Sequence, residues 1–151
     1  MQKKDCLFCK IVSGEIPSSK IWEDKKHIAI LDVFPNIKGM TLVMPKAHYD
    51  SYTFDMPDSA YAELLIASKK VGKILDKKLK IIRTAMVAEG LGVNHAHIKL
   101  YPMIGMDKHF KEMWNTDEVY FEKNPGYLIT KRGPKAEPAE LEKLAKQILG
   151  K

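Results

Sequence analysis

Arginine is nearly missing from this chain: in 151 residues it occurs only at Arg83 and Arg132. A nucleic-acid surface built on guanidinium contacts interleaved with aromatics is therefore disfavoured. Cysteine is as scarce, with Cys6 and Cys9 the only two, too few for a disulfide framework. No apolar run approaches the ~18 residues of a membrane span. Met1 to Phe8 carries no signal-peptide core, so the expected location is cytoplasmic. Neither a Walker-type phosphate loop nor a Gly-x-Gly-x-x-Gly turn is present, which disfavours P-loop ATP handling and Rossmann-type dinucleotide binding. Internal repeats and low-complexity tracts are also lacking before Gly133.

What is present is ordinary for one globular domain, 45% hydrophobic and 29% charged. The expected unit is a single domain over 1–151, with 104–151 as an extension that matches no recognised pattern. Lys and Arg number 25 against 19 Asp and Glu, a net charge of +6, which suits an anionic ligand or simply keeps the protein soluble. Lys69, Lys70, Lys73, Lys77 and Lys78 read as the wet face of one helix.

Periodicity places a short helix at Phe8 to Val12, stopped by Ser13-Gly14. Strands follow at Lys20 to Glu23, His27 to Val33 and Met40 to Met44. Asp58 is the expected cap of a long helix to about Leu79, with Tyr61, Leu64, Leu65, Ser68, Val71, Ile74 and Leu75 along one stripe. Further strands are expected at Ile81 to Ala88, His95 to Tyr101 and Tyr127 to Thr130, and a short amphipathic helix at Glu137 to Leu149. Hairpin-length connections between the early strands make the class α+β: an antiparallel sheet with one long helix and a short C-terminal helix. His27 and His109 read as surface residues.

Chemistry concentrates in Asn94-His95-Ala96-His97-Ile98-Lys99-Leu100-Tyr101-Pro102. Side chains alternate along a strand, so His95, His97 and Lys99 share one face while Ala96, Ile98 and Leu100 turn to a core. Two imidazoles and an ammonium in a row form a cationic strip along which a phosphate can lie; the alternative is a solvated polar face. Cys6-Leu7-Phe8-Cys9 has the spacing of a tetrahedral metal site, which needs two further ligands. A redox dithiol would be expected where a strand enters a helix, and no strand precedes these cysteines.

The row followed by Pro102 resembles the His-φ-His-φ-His-φ-φ motif of the histidine-triad superfamily, with Lys99 where the third histidine stands. Cys6 to Pro17, Ile28 to Val33 and Gly39 to His48 resemble the opening helix and two following strands of its bacterial, zinc-bearing members. The resemblance covers about residues 5 to 103. It implies that His97, the middle histidine, attacks the α-phosphorus of a nucleotide and passes the nucleotidyl group to water or another acceptor. A neutral imidazole is the nucleophilic form, and Lys99 and a nearby metal would both favour it by like-charge repulsion. Those cations would also favour charge building on phosphoryl oxygens.

The resemblance further implies that His48 and His95 complete a structural Cys₂His₂ zinc site with Cys6 and Cys9. A competing set, Cys6, Cys9, His95 and His97, would consume the nucleophile. Asp32 matches the acidic residue that holds ribose hydroxyls, and otherwise initiates the turn before Phe34-Pro35. Phe8, Ile11, Ile30 and Val33 fall where relatives sandwich the base. Relatives are commonly two-fold dimers.

Two departures stand out. Lysine, with an unperturbed pKa of ~10.4, is a poor proton donor at neutral pH. The loop Glu89 to Asn94 is shorter than in relatives and lacks their phosphate-contacting hydroxyl, a place Asn94 is expected to fill in part. The expected function is a nucleotide hydrolase or nucleotidyltransferase acting on purine nucleotide conjugates such as phosphoramidates and dinucleoside polyphosphates. The alternatives are a nucleotide-binding protein of the same fold without turnover, and a small zinc-stabilised nucleic-acid module.

Overall fold

A computed structural model describes residues 3–106, 109, 112, 117–128 and 139. Contacts divide the chain into two compact units, Met1–Phe110 and Lys111–Lys151. The first carries helix α1 (Leu7–Ser13), strands β1 (Lys20–Glu23), β2 (His27–Leu31) and β3 (Thr41–Pro45), a 3-10 turn at Thr53–Asp55, helix α2 (Asp58–Leu79), and strands β4 (Thr84–Val87) and β5 (Ile98–Pro102). In the second, Phe121 and Tyr127 make an edge-to-face ring pair at 6.2 Å. Tyr127 and Leu128 are not in a strand, contrary to expectation. The rest of that expected strand, and the expected helix at Glu137 to Leu149 apart from helical Ala139, lie outside the described residues.

All strand pairs are antiparallel, in the order β1-β2-β3-β5-β4. Because α2 carries the chain from β3 across to β4, β5 returns between the two and becomes an interior strand. Lys99 consequently lies opposite Leu42 of β3 on one side and Val87 of β4 on the other. The α+β class is as expected.

Each face of the sheet has its own core. On one, Leu64, Ala67, Val71 and Leu75 of α2 lie against Ala29, Val43, Ala96, Ile98 and Leu100. Three- and four-residue spacings keep these helix positions on one stripe, and the two-residue strand period presents their partners. The lysines of α2 are exposed, as a wet face requires. On the other face, Cys6, Phe8 and Cys9 lie against Ile28, Ile30, Leu42 and Met44. Gly14 ends α1 in the left-handed region at φ 82°, its N–H donating to Ile11 O, and so turns the chain towards β1.

Two boundaries and the burial of one histidine are among the differences from expectation. Pro57, not Asp58, is the cap of α2, and no side chain bonds there. Strand β5 begins at Ile98 rather than His95, because His95 to His97 leave the ladder: the Ala96 N–H donates to Tyr49 O at 2.8 Å instead. His27 is buried rather than exposed, its ring Nδ1 3.2 Å from the Asp24 carboxylate. Among the described residues, no helix is long and apolar enough to cross a membrane.

Leu64 is fully buried at the centre of the α2 core. Leu64→Ala is expected to lower unfolding stability by about 2–5 kcal/mol, measured by denaturant titration. A loss below half of the lower figure would show that this helix–sheet core is looser than described.

Candidate functional site

Despite the missing ladder at its start, the row keeps its alternation. Ala96, Ile98 and Leu100 enter the α2 core, and His95 and His97 meet α1 on the opposite face. The Phe8 ring stands edge-on to both imidazoles, 5.9 Å from His95 and 5.1 Å from His97.

His95 Nδ1 lies 3.4 Å from Cys6 Sγ and 3.6 Å from Cys9 Sγ, and His48 Nδ1 lies 3.5 Å from Cys9 Sγ. The ligand atoms of Cys6, Cys9, His48 and His95 all fall within 4.8 Å of one another. Ordinary Zn–S and Zn–N bonds at tetrahedral angles place sulfur and nitrogen ~3.6 Å apart. These four residues therefore have the donor set and spacing to hold a metal ion. His97 is not among them, so the competing set does not form.

The surroundings of the cluster also match a metal site. His95 Nε2 donates to Pro45 O at 2.9 Å, leaving the Nδ1 lone pair turned to the sulfurs. His48 Nε2 donates to Asp50 Oδ1 at 3.2 Å, and the Asn94 amide donates to the same oxygen at 3.1 Å. The Lys3 N–H donates to Cys9 Sγ. Such outer partners fix the ring orientation of ligating histidines. Burial, assisted by the charges of His48 and His97, pushes the His95 pKa down to about 4, so the ring is in its neutral, ligating form. Burial likewise pushes the Cys9 thiol up, so a thiolate there calls for a compensating cation.

Asn94 makes two bonds the sequence did not suggest. Its Nδ2 donates to Asp50 and its Oδ1 accepts the Ser51 N–H at 2.8 Å, so the amide supports the carboxylate beside His48. Asp50 was not singled out in the sequence; its signal was a carboxylate two residues beyond a candidate ligand.

His97 is 3% exposed, and its Nδ1 donates to His95 O at 2.7 Å. That bond places the ring proton on Nδ1 and the lone pair on Nε2. Burial is the main reason its pKa lies below the ordinary range. Lys99 pushes the same way, while the His95 carbonyl, Glu89 and Asp32 push back. The neutral form expected from like charge is favoured chiefly by desolvation. Lys99 pairs with the Glu89 carboxylate, a residue the sequence reading passed over.

The other candidates divide by burial. Ile30 is in the α1-side core with Phe8, and Ile11 packs half-buried against it. Val33 is 80% exposed, next to exposed Phe34. Asp32 is half-buried and its Oδ1 accepts the Phe34 N–H at 2.8 Å, the bond of a turn-initiating aspartate. Its charge nevertheless acts on His97, pushing that pKa up, so it lies within electrostatic reach of the ring. His109 is exposed.

A family model described as the HIT domain matches residues 13–103. A HIT-like protein from Methanocaldococcus jannaschii is 38% identical over 120 residues, covering 74% of this chain and 92% of its own. An adenosine 5'-monophosphoramidase from Saccharomyces cerevisiae is 34% identical over 124 residues, 78% of this chain and 75% of its own. The crystal structure of a Streptococcus mutans protein superposes with a TM-score of 0.71 at 31% identity, covering 98% of this chain and 85% of that one.

If Asp50 and Asn94 brace His48, then Asp50→Ala weakens metal binding by roughly 10–100-fold, read by competition with a chromophoric chelator. Cys9→Ser removes a ligand and abolishes stoichiometric metal. An Asp50→Ala protein with wild-type affinity would show that the carboxylate is only a neighbour.

Proposed function

The chain belongs to the HIT domain family, and on that premise we propose that it is a nucleotide hydrolase or nucleotidyltransferase whose nucleophile is Nε2 of His97. The substrates in this reading are purine nucleotide conjugates, phosphoramidates and dinucleoside polyphosphates, attacked at the α-phosphorus. One observation carries the reading: the His97 Nδ1–His95 O hydrogen bond, which leaves a lone pair on Nε2 of a ring kept neutral by burial. The activity in the name of the yeast relative supports the same class.

In the proposed reaction Nε2 forms a bond to phosphorus and the bond to the departing nitrogen or oxygen breaks, its electron pair leaving with that atom. The departing group takes a proton from water. A second water attacks the nucleotidyl-histidine, releases the nucleoside monophosphate and restores the imidazole. Lys99 offers positive charge to the phosphoryl oxygens. Asp32, with one carboxylate oxygen engaged by Phe34, accepts from the ribose hydroxyls, and Phe8, Ile11, Ile30 and Val33 wall the base. The ion assigned to Cys6, Cys9, His48 and His95 is zinc. Two thiolates and two imidazoles are the ligands it favours, and with all four positions filled by protein its part is structural. Bound there, it would pin the N-terminal segment and the end of β3 to the histidine row.

A second reading is a nucleotide-binding protein without turnover. It draws on Lys99, which replaces the third histidine and is already paired with Glu89.

Incubation with a fluorogenic adenosine phosphoramidate and with a diadenosine polyphosphate separates the two. Turnover of either, with an acid-labile nucleotidyl adduct that His97→Ala abolishes along with on the order of 10³-fold or more of the rate, is the expected result. Turnover of neither, with AMP affinity insensitive to His97→Ala, would establish the binding protein.

A further inference from the structure

Glu89 and Lys99 form an ion pair that neither the metal cluster nor either core uses. Their side chains are only 13% and 21% exposed. Two partly desolvated charges lose hydration, and such pairs are often replaceable by apolar residues at no cost in stability. Stability is therefore a weak reason for this one, and its position offers a better reason.

Lys99 occupies an interior strand, held in register by Leu42 and Val87 on its two sides. Glu89 follows Val87 by two residues, where the chain leaves β4. The next residue, Gly90, has φ +68°, and a Cβ there would lie 2.5 Å from Ser51 O. The turn is thus pressed against the 51 backbone and admits only glycine, which anchors the main chain beside Glu89. Both charges act on His97, with opposite sign. The three groups therefore form one local set: a buried imidazole, a cation two residues along the strand, and a carboxylate brought to that cation by an anchored turn.

An imidazole on a strand is set by two torsions, whereas a lysine ammonium sits on a flexible four-carbon stem and is a diffuse cation unless something holds it. We propose that Glu89 is the positioning residue of this site: its carboxylate holds the Lys99 ammonium on the His97 face, so that a fixed cation meets the phosphoryl oxygens. The inference rests on the reading of His97 given above. The pair also balances charge. With Glu89 present, Lys99 is largely neutralised towards the resting nucleotide, and its attraction is felt most where new negative charge develops during reaction.

That balance gives a signature that loss of folding does not share. In Glu89→Gln the ammonium is released and no longer neutralised. kcat falls roughly 100-fold through misplacement of the cation, while AMP binds as tightly as to wild type or severalfold tighter. Glu89→Asp, which keeps the charge, recovers part of kcat. Lys99→Met lowers kcat similarly, and adding Glu89→Gln to it produces no further loss, because the carboxylate acts only through the lysine. The Lys99 ammonium resonance, visible by ¹⁵N NMR in wild type when its protons exchange slowly, disappears in Glu89→Gln. Parallel loss of kcat and AMP affinity, multiplicative losses in the double variant, or a persisting ammonium resonance would each overturn the proposal. The double variant removes both charges together and so remains interpretable if either single variant folds poorly. Should the wild type turn over neither substrate, the enzymatic reading fails separately. The ammonium resonance then still decides whether Glu89 holds Lys99: its loss in Glu89→Gln upholds the pairing, and its persistence refutes it.

Discussion

A single residue, His95, ties the two halves of the site together. Its ring belongs to the cluster with Cys6, Cys9 and His48, and its main-chain oxygen accepts the proton of His97 Nδ1. The oxygen is free to do so because residues 95 to 97 leave the sheet ladder before β5 begins. Whatever fixes the His95 ring therefore also fixes the carbonyl that orients its neighbour. The Pro45 carbonyl holds that ring from one side and the sulfurs face it from the other. A metal in the cluster would stiffen the proposed nucleophile without touching it, so that a structural ion would bear on reactivity.

Around that residue, the sheet supplies direction and α1 supplies dryness. Two-residue alternation sends Ala96, Ile98 and Leu100 into the α2 core and leaves the polar row on the other face. Phe8 then closes over both rings, and the desolvation that follows keeps His97 below its ordinary pKa range. Burial and the proposed catalysis are not opposed here. The same packing that hides the imidazole holds it neutral, and its tautomer is set by the His95 carbonyl, which the ladder does not use.

Much of this was legible in the residues. The alternation of His95, His97 and Lys99 follows from local strand geometry, which any short window of sequence contains. The Cys6 and Cys9 spacing was equally local, but their meeting with His48 and His95 came only from resemblance to a known family, since nothing in the spacing of residues 6, 48 and 95 brings them together. Most of what escaped was nonlocal. Glu89 meets Lys99 only once the β4–β5 register is known. Asn94 bonds Ser51 and Asp50, 43 and 44 residues away in sequence. His27 is a local exception: it is buried, and its ring is held by Asp24 three residues away. The early end of the β5 ladder depends on Tyr49 capturing the Ala96 N–H, a competition between distant segments.

The central claim is that His97 presents a bare Nε2 because its proton is held on Nδ1. The most direct measurement is the ¹⁵N NMR spectrum of the His97 ring in the metal-loaded protein near neutral pH. The account predicts a protonated, pyrrole-type Nδ1 and an unprotonated, pyridine-type Nε2. A proton on Nε2, protonation of both nitrogens, or a metal-coordinated Nε2 would contradict it.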